Sequence, residues 1–125
     1  MGASDLTDLA RRAVACEVWR WMPGMRYLTF DAGHRYACRV NESGVLGQCI
    51  DPLPDLTDDA TIGCLLALVR EAFGDPELVA AADIYDPRRP SRWRAESFDA
   101  RGRWRASFWG ATEAEALVSA LEHAP

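Results

Sequence analysis

Apolar residues recur along the chain with two periods, one near 3.6 and one of two, and each predicts its own type of element. Leu6, Leu9, Ala10 and Ala13 keep helical spacing and predict a first helix from about Leu6 to Val18. Ser4 reads as its N-cap, with Asp5 and Asp8 in the first turn. Met22-Pro23-Gly24 stops it, and Trp19, Trp21 and Met25 around the stop offer large apolar area for packing that helix onto a sheet. Residues 26–31, 34–40 and 45–50 predict three short strands, separated by Ala32-Gly33 and by Asn41-Glu42-Ser43-Gly44. Asp51-Pro52-Leu53-Pro54-Asp55 reads as a rigid loop.

Ile62, Leu65, Leu66, Val69 and Phe73 form a helical stripe and predict a buried central helix over 59–73. Gly74 fits its C′ position, with Pro76 just beyond. Residues 77–85 fit a helical turn or a strand equally well, and Asp86-Pro87 and Arg89-Pro90 mark a loop. Residues 92–99 and 103–109 then alternate as a hairpin. Pairing Phe98 with Arg103 sets Trp93 opposite Phe108, Ala95 opposite Ala106 and Ser97 opposite Trp104 on a core face. It leaves Arg92, Arg94, Arg103 and Arg105 on the other face with Phe98 and Trp109, and sets Glu96 opposite Arg105. Thr112 and Glu115 spell a capping box, and Ala114, Leu117, Val118 and Leu121 stripe a last helix. The pattern therefore predicts a single α+β domain over 1–125. Three helices layer on a mostly antiparallel sheet of about five strands, a helix–sheet–helix sandwich.

Composition narrows the chemistry. The chain has 125 residues and a net charge of −5, and all 14 of its cations are arginine. Without lysine there is no Schiff base and no Walker A phosphate loop. No apolar run approaches the ~18 residues of a membrane span. The N-terminal segment is charged where a signal peptide would be apolar, so the expectation is a cytoplasmic chain with no membrane partner. Cys16, Cys38, Cys49 and Cys64 lack the paired spacing of zinc ligands and read as buried, reduced thiols; no metal or cofactor is expected. Asp51, Asp55, Asp58 and Asp59 precede the central helix and read as capping residues. His123 reads as a cation at the end of the last helix.

The arginines are unevenly placed. Residues 88–105 hold seven of them with only Glu96 and Asp99 as acids, a local balance of +5 against −10 for the rest. Guanidinium forks grip phosphate and carboxylate and stack on flat rings. Arg92, Arg94, Arg103 and Arg105, with Trp109 and Phe98, are therefore the candidate ligand-binding set, weighed against an ordinary solvated strand face. The anion would be a small nucleotide or phosphorylated metabolite, or an acidic surface of a host protein or of a second copy in a homo-oligomer. Nucleic acid is disfavoured by the overall negative charge. An enzyme reading, a metal-dependent phosphodiesterase, would need Asp51, Asp55 and His34 to converge.

Three stretches carry a family resemblance: Val14-Ala15-Cys16 leading to Trp19-Arg20-Trp21-Met22-Pro23-Gly24-Met25, the run from Leu53 to Asp58 with that from Ala60 to Ala72, and Glu113-Ala114-Glu115-Ala116-Leu117-Val118. Together they resemble small bacteriophage and prophage proteins of the phage ABA-sandwich type. The resemblance implies a phage origin and helix–sheet–helix layering. It brings no catalytic residues. Together with the arginine–aromatic face and the lack of a catalytic constellation, it makes a non-enzymatic phage accessory protein that binds an anionic ligand the leading expectation, with a host nucleotide signal as the first candidate and action against host defence as what a phage origin suggests. A protein-binding inhibitor or structural interaction module is the alternative.

Overall fold

The computed structural model describes residues 3–31, 33–47, 49–83 and 92–125. Among these the chain is α+β, with three helices and six strands in two three-stranded antiparallel sheets. The expected single sheet of about five strands is therefore corrected to two. The extra strand comes from the alanine-rich segment 79–83, whose residues lack the apolar–polar contrast that marks a strand in sequence. The chain divides into two compact units, Met1–Cys64 and Leu65–Pro125, with the boundary inside the central helix.

In the first unit α1 spans Ala3–Val14, earlier at both ends than the pattern predicts. Ser4 is thus inside the helix. Leu9, Ala10 and Ala13 are its buried stripe. β1 (Arg26–Asp31) pairs with β2 (His34–Arg39) on one side and with β3 (Ile50–Pro54) on the other. The predicted strand over 45–50 and the predicted loop over 51–55 are both corrected by β3. Its two prolines are tolerated because β3 is an edge strand with a single neighbour. Residues 51 and 52 oppose Thr29 alone, a bulge in which Asp51 takes a φ of 46°. The Thr29 hydroxyl fills the gap, accepting from the Ile50 N–H at 3.1 Å and donating to its carbonyl at 2.7 Å. Trp19 and Trp21 meet edge to face at 5.4 Å, and Trp21 meets Tyr27 of β1 at 5.7 Å.

α2 spans Asp59–Phe73, as its stripe predicts. Asp58 caps it, accepting from the Thr61 N–H at 3.0 Å. The same carboxylate is gripped by both terminal nitrogens of Arg39, at 2.9 and 3.0 Å. The Arg39 guanidinium, and then the Thr61 donors, hold its carboxyl well below the usual carboxylate range against a partly desolvated setting. Asp51 and Asp55 are not caps. Asp55 accepts from the Thr57 N–H and hydroxyl and pairs with Arg26 at 3.2 Å.

In the second unit α2 ends in a Schellman turn: the Gly74 N–H donates to the Glu71 carbonyl and the Asp75 N–H to that of Arg70. Gly74 has the φ of +62° that this turn requires. β4 (Val79–Asp83), β5 (Arg92–Phe98) and β6 (Trp104–Gly110) form the second sheet in that order, so the ambiguous segment resolves as a strand. Residues 84–91, including the Asp86-Pro87 and Arg89-Pro90 positions, lie outside the described residues. α3 (Glu113–Glu122) packs on one face of this sheet with Ala114, Ala116, Leu117, Val118, Ala120 and Leu121 buried. Thr112 caps it as predicted, accepting from the Glu115 N–H at 3.1 Å. The Glu115 carboxylate returns to the Ala111 N–H, one residue before the usual partner in a capping box.

Asp75 fastens the end of α2 to the hairpin. Its carboxylate, only 9% exposed, accepts from the Phe98 N–H and the Ser97 hydroxyl, both at 3.2 Å, and from the Glu77 N–H at 3.0 Å. Burial alone would raise this carboxyl, but those donors and the nearby Arg105 hold it below its ordinary value.

Two outcomes follow for stability. A Cβ at Gly110 would come within 2.5 Å of the Ala116 nitrogen and 2.7 Å of the Glu115 Cβ. Gly110→Ala is therefore expected to cost about 2 kcal/mol or more in urea unfolding. The depressed Asp75 carboxyl contributes stability that is full above its unfolded value of ~4 and fades as pH falls through the folded value. Asp75→Asn should lower stability at pH 7 and flatten its decline below pH ~4, read by denaturant melts at stepped pH.

Candidate functional site

The hairpin register decides which arginines share a surface. Trp93 pairs with Gly110, Ala95 with Phe108 and Ser97 with Ala106, two residues from the predicted partners. A shift of two keeps every side chain on its face, so apolar alternation cannot distinguish the two registers. The smaller step between Ser97 and Phe98 matters more. There Phe98 pairs with Trp104, and Arg105 becomes the extra residue of a bulge. The Phe98 N–H goes to Asp75, which takes the place of a ladder partner at that step.

On the face opposite α3, six side chains connect in a line. The Arg92 guanidinium carbon lies 4.4 Å from the centroid of the Trp109 ring, and that of Arg94 lies 5.4 Å from it. Arg94 and Trp109 are directly paired across β5 and β6, which places cation and ring together. Arg94 Nε lies 3.4 Å from Glu96 Oε1, which accepts from the Ser107 hydroxyl at 3.2 Å. Ser107 Oγ accepts in turn from the indole N–H of Trp104 at 2.9 Å. Trp109 is 37% and Trp104 61% exposed. Arg92 is the register partner of Asp83 across β4 and β5, so at these strand positions two arginines are matched by two acids, Asp83 and Glu96.

Arg92, Arg94 and Trp109 of the predicted set are thus brought together. The other three are not. Arg105 donates to the Phe73 carbonyl at 2.9 Å and lies over the Phe73 ring at 5.8 Å, where it caps the end of α2. Arg103 turns back to Asp99, with Nε on Oδ2 at 2.9 Å. The Arg103 N–H, then those of Arg101, hold the Asp99 carboxyl below its ordinary value. Phe98 is exposed at 42% and borders a hollow lined by Asp75, Pro76 and Arg105. Trp104, expected in the core, is on the arginine face because of the bulge, and no alternation signal marks that change. Glu96 meets Ser107 rather than Arg105.

The remaining candidates separate. Asp51 pairs with Arg11 at 3.0 Å and Asp55 with Arg26, and no three His, Cys, Asp or Glu side chains gather as a metal site among the described residues. All four cysteines are free, yet none is buried: Cys38 is exposed, because β2 is exposed along its whole length, and the others are partly exposed. His123 closes α3 with Nδ1 2.8 Å from the Ser119 carbonyl and stacks on Phe108 at 5.6 Å. Among the described residues no helix is long and apolar enough to cross a membrane. No family model, curated protein or solved structure matches the chain.

Arg105 and Arg92 should therefore differ on mutation. Arg105→Ala is expected to lower stability by about 1.5–3 kcal/mol through a lost charged hydrogen bond. Arg92→Ala should lower it by less than about 1 kcal/mol. Urea unfolding of the two variants checks the ordering.

Proposed function

We propose that the protein is a non-enzymatic phage accessory protein that binds an anionic ligand bearing a planar ring, first of all a nucleotide signal in the host cytoplasm. The reading is carried by the Arg92 guanidinium, whose carbon lies over the Trp109 ring at 4.4 Å from its centroid. A guanidinium already held flat by a ring keeps its N–H edge for a phosphate and loses little freedom on binding. Arg94 adds a second fork, tempered by Glu96. Trp104 offers an exposed ring on the same face, and base–aromatic stacking contributes ~1–3 kcal/mol per base. The phage context rests on the resemblance of the three helical stretches.

A second reading is favoured by one observation. Val79, Trp104 and Trp109 are all exposed on this sheet face beside Arg92 and Arg94, and Trp and Arg are the residues that dominate protein–protein binding energy. An inhibitor docking on an acidic host protein would use the same surface.

Calorimetry against a panel of cyclic and linear nucleotides distinguishes the two. Binding that weakens with salt and falls by about tenfold or more in Arg92→Ala supports the nucleotide reading. Glu96→Gln, which removes the competing carboxylate, should tighten it. No binding across the panel, or unchanged binding in Arg92→Ala and Trp109→Ala, sinks it. Recovery of one stoichiometric host protein, lost in Trp109→Ala, would establish the second reading in its place.

A further inference from the structure

The first unit contains a groove of ≈ 460 Å³ between α1 and the β2-β1-β3 sheet. Small-molecule sites commonly span roughly 300–1,000 Å³ and are mainly apolar with a few polar groups at one end. This groove has that composition. Leu6 and Ala10 of α1 face Leu28 of β1, Leu53 of β3 and Leu56, and Phe30 forms a wall while remaining 51% exposed. An aromatic side chain left half in water beside an apolar trough is surface that a ligand would cover.

The polar lining is unevenly charged. Arg35 is the direct partner of Phe30 across the ladder, and its side chain makes no ion pair or hydrogen bond among the described residues. Arg11 is held by Asp51, Nη2 to Oδ2 at 3.0 Å and Nη1 to Oδ1 at 3.4 Å, but both side chains are more than half exposed. A pair so exposed contributes little, so a carboxylate from solution can compete for Arg11 at small cost. Asp51 reaches this position from the bulge, at a φ of 46° that non-glycine residues seldom adopt. Asp55 is engaged by Arg26 and Thr57. Arg11, Arg35 and Asp51 thus leave one positive charge at the edge of an apolar trough.

We infer that this groove binds a small amphipathic monoanion, an apolar carboxylate whose body lies against Leu28 and Leu53 and whose head group pairs with Arg35. The site is separate from Arg92 and Trp109 and independent of the nucleotide reading. One cation without a partner among the described residues matches one carboxylate. The predominance of aliphatic wall over polar rim disfavours a multiply charged phosphate, whose further charges would find no partner.

Decanoate, kept below its aggregation concentration, is the test ligand, with decanol and decyltrimethylammonium as neutral and cationic counterparts of the same chain. Decanoate should bind about tenfold or more tighter than decanol, the difference expected of one charge-assisted contact. Arg35→Gln, at an exposed strand position, should remove that preference while leaving decanol binding unchanged. Amide shifts on titration should fall within residues 6–57. Leu6→Trp should block all three ligands, and Arg92→Ala should leave decanoate affinity unaltered. Equal affinity for decanoate and decanol, retention of the preference in Arg35→Gln, or shifts centred on residues 92–110 would overturn the proposal. A dimer that forms through this face and that decanoate does not dissociate would overturn it as well.

Discussion

At the foot of α2 the Asp75 carboxylate accepts hydrogen bonds from Glu77, Ser97 and Phe98 while nearly shut off from water. A carboxylate in that setting is tolerable only if its lone pairs are filled. The donors therefore have to come to it. Two are near in sequence or on a side chain, but the third is a strand N–H that would otherwise belong to the hairpin ladder. Taking that N–H at Phe98 coincides with the β5–β6 bulge, and the bulge decides what each face of the hairpin presents.

The consequence for the arginines is physical rather than compositional. Arg105, displaced as the extra residue, answers the free Phe73 carbonyl left by the end of α2 and adds its charge beside Asp75. That arginine is structural. Arg92 and Arg94 lie beyond the irregularity, where Trp109 is directly across the ladder, and their cationic heads rest on its ring. Glu96 and Ser107 extend the same line to Trp104. One buried carboxylate thus separates the arginine that holds the end of α2 from those resting on the Trp109 face.

The first unit repeats the theme with a different partner. Asp58 caps α2 and takes both terminal nitrogens of Arg39, while Arg39 also donates to the Gly24 carbonyl at 2.7 Å. The Arg26 N–H adds a bond to the Thr61 hydroxyl at 2.8 Å, tying β1 to the first turn of α2. With those arginines occupied, Arg35 is left on an exposed strand beside the α1 groove. In both units, arginines are drawn into pairs and caps that hold the fold.

The sequence by itself determined the elements whose causes are local. The α2 stripe, its Gly74 stop, the Thr112 cap and the facing of the hairpin up to its bulge follow from residue spacing, side-chain caps and the conformational freedom of glycine. It also determined that arginine and tryptophan would meet on one strand face, because alternation of period two survives a two-residue shift of register. Alternation could not reveal β3, since two prolines resemble a loop until an edge position excuses their missing donors. Nor could it reveal β4, whose alanines lack contrast. The bulge, the capture of Arg105, the exposure of Trp104 and the bidentate hold of Asp51 on Arg11 were decided by tertiary structure alone. Each depends on a hydrogen bond or ion pair between residues far apart in the chain, and such partners are chosen by where the backbone brings unfilled donors and acceptors together.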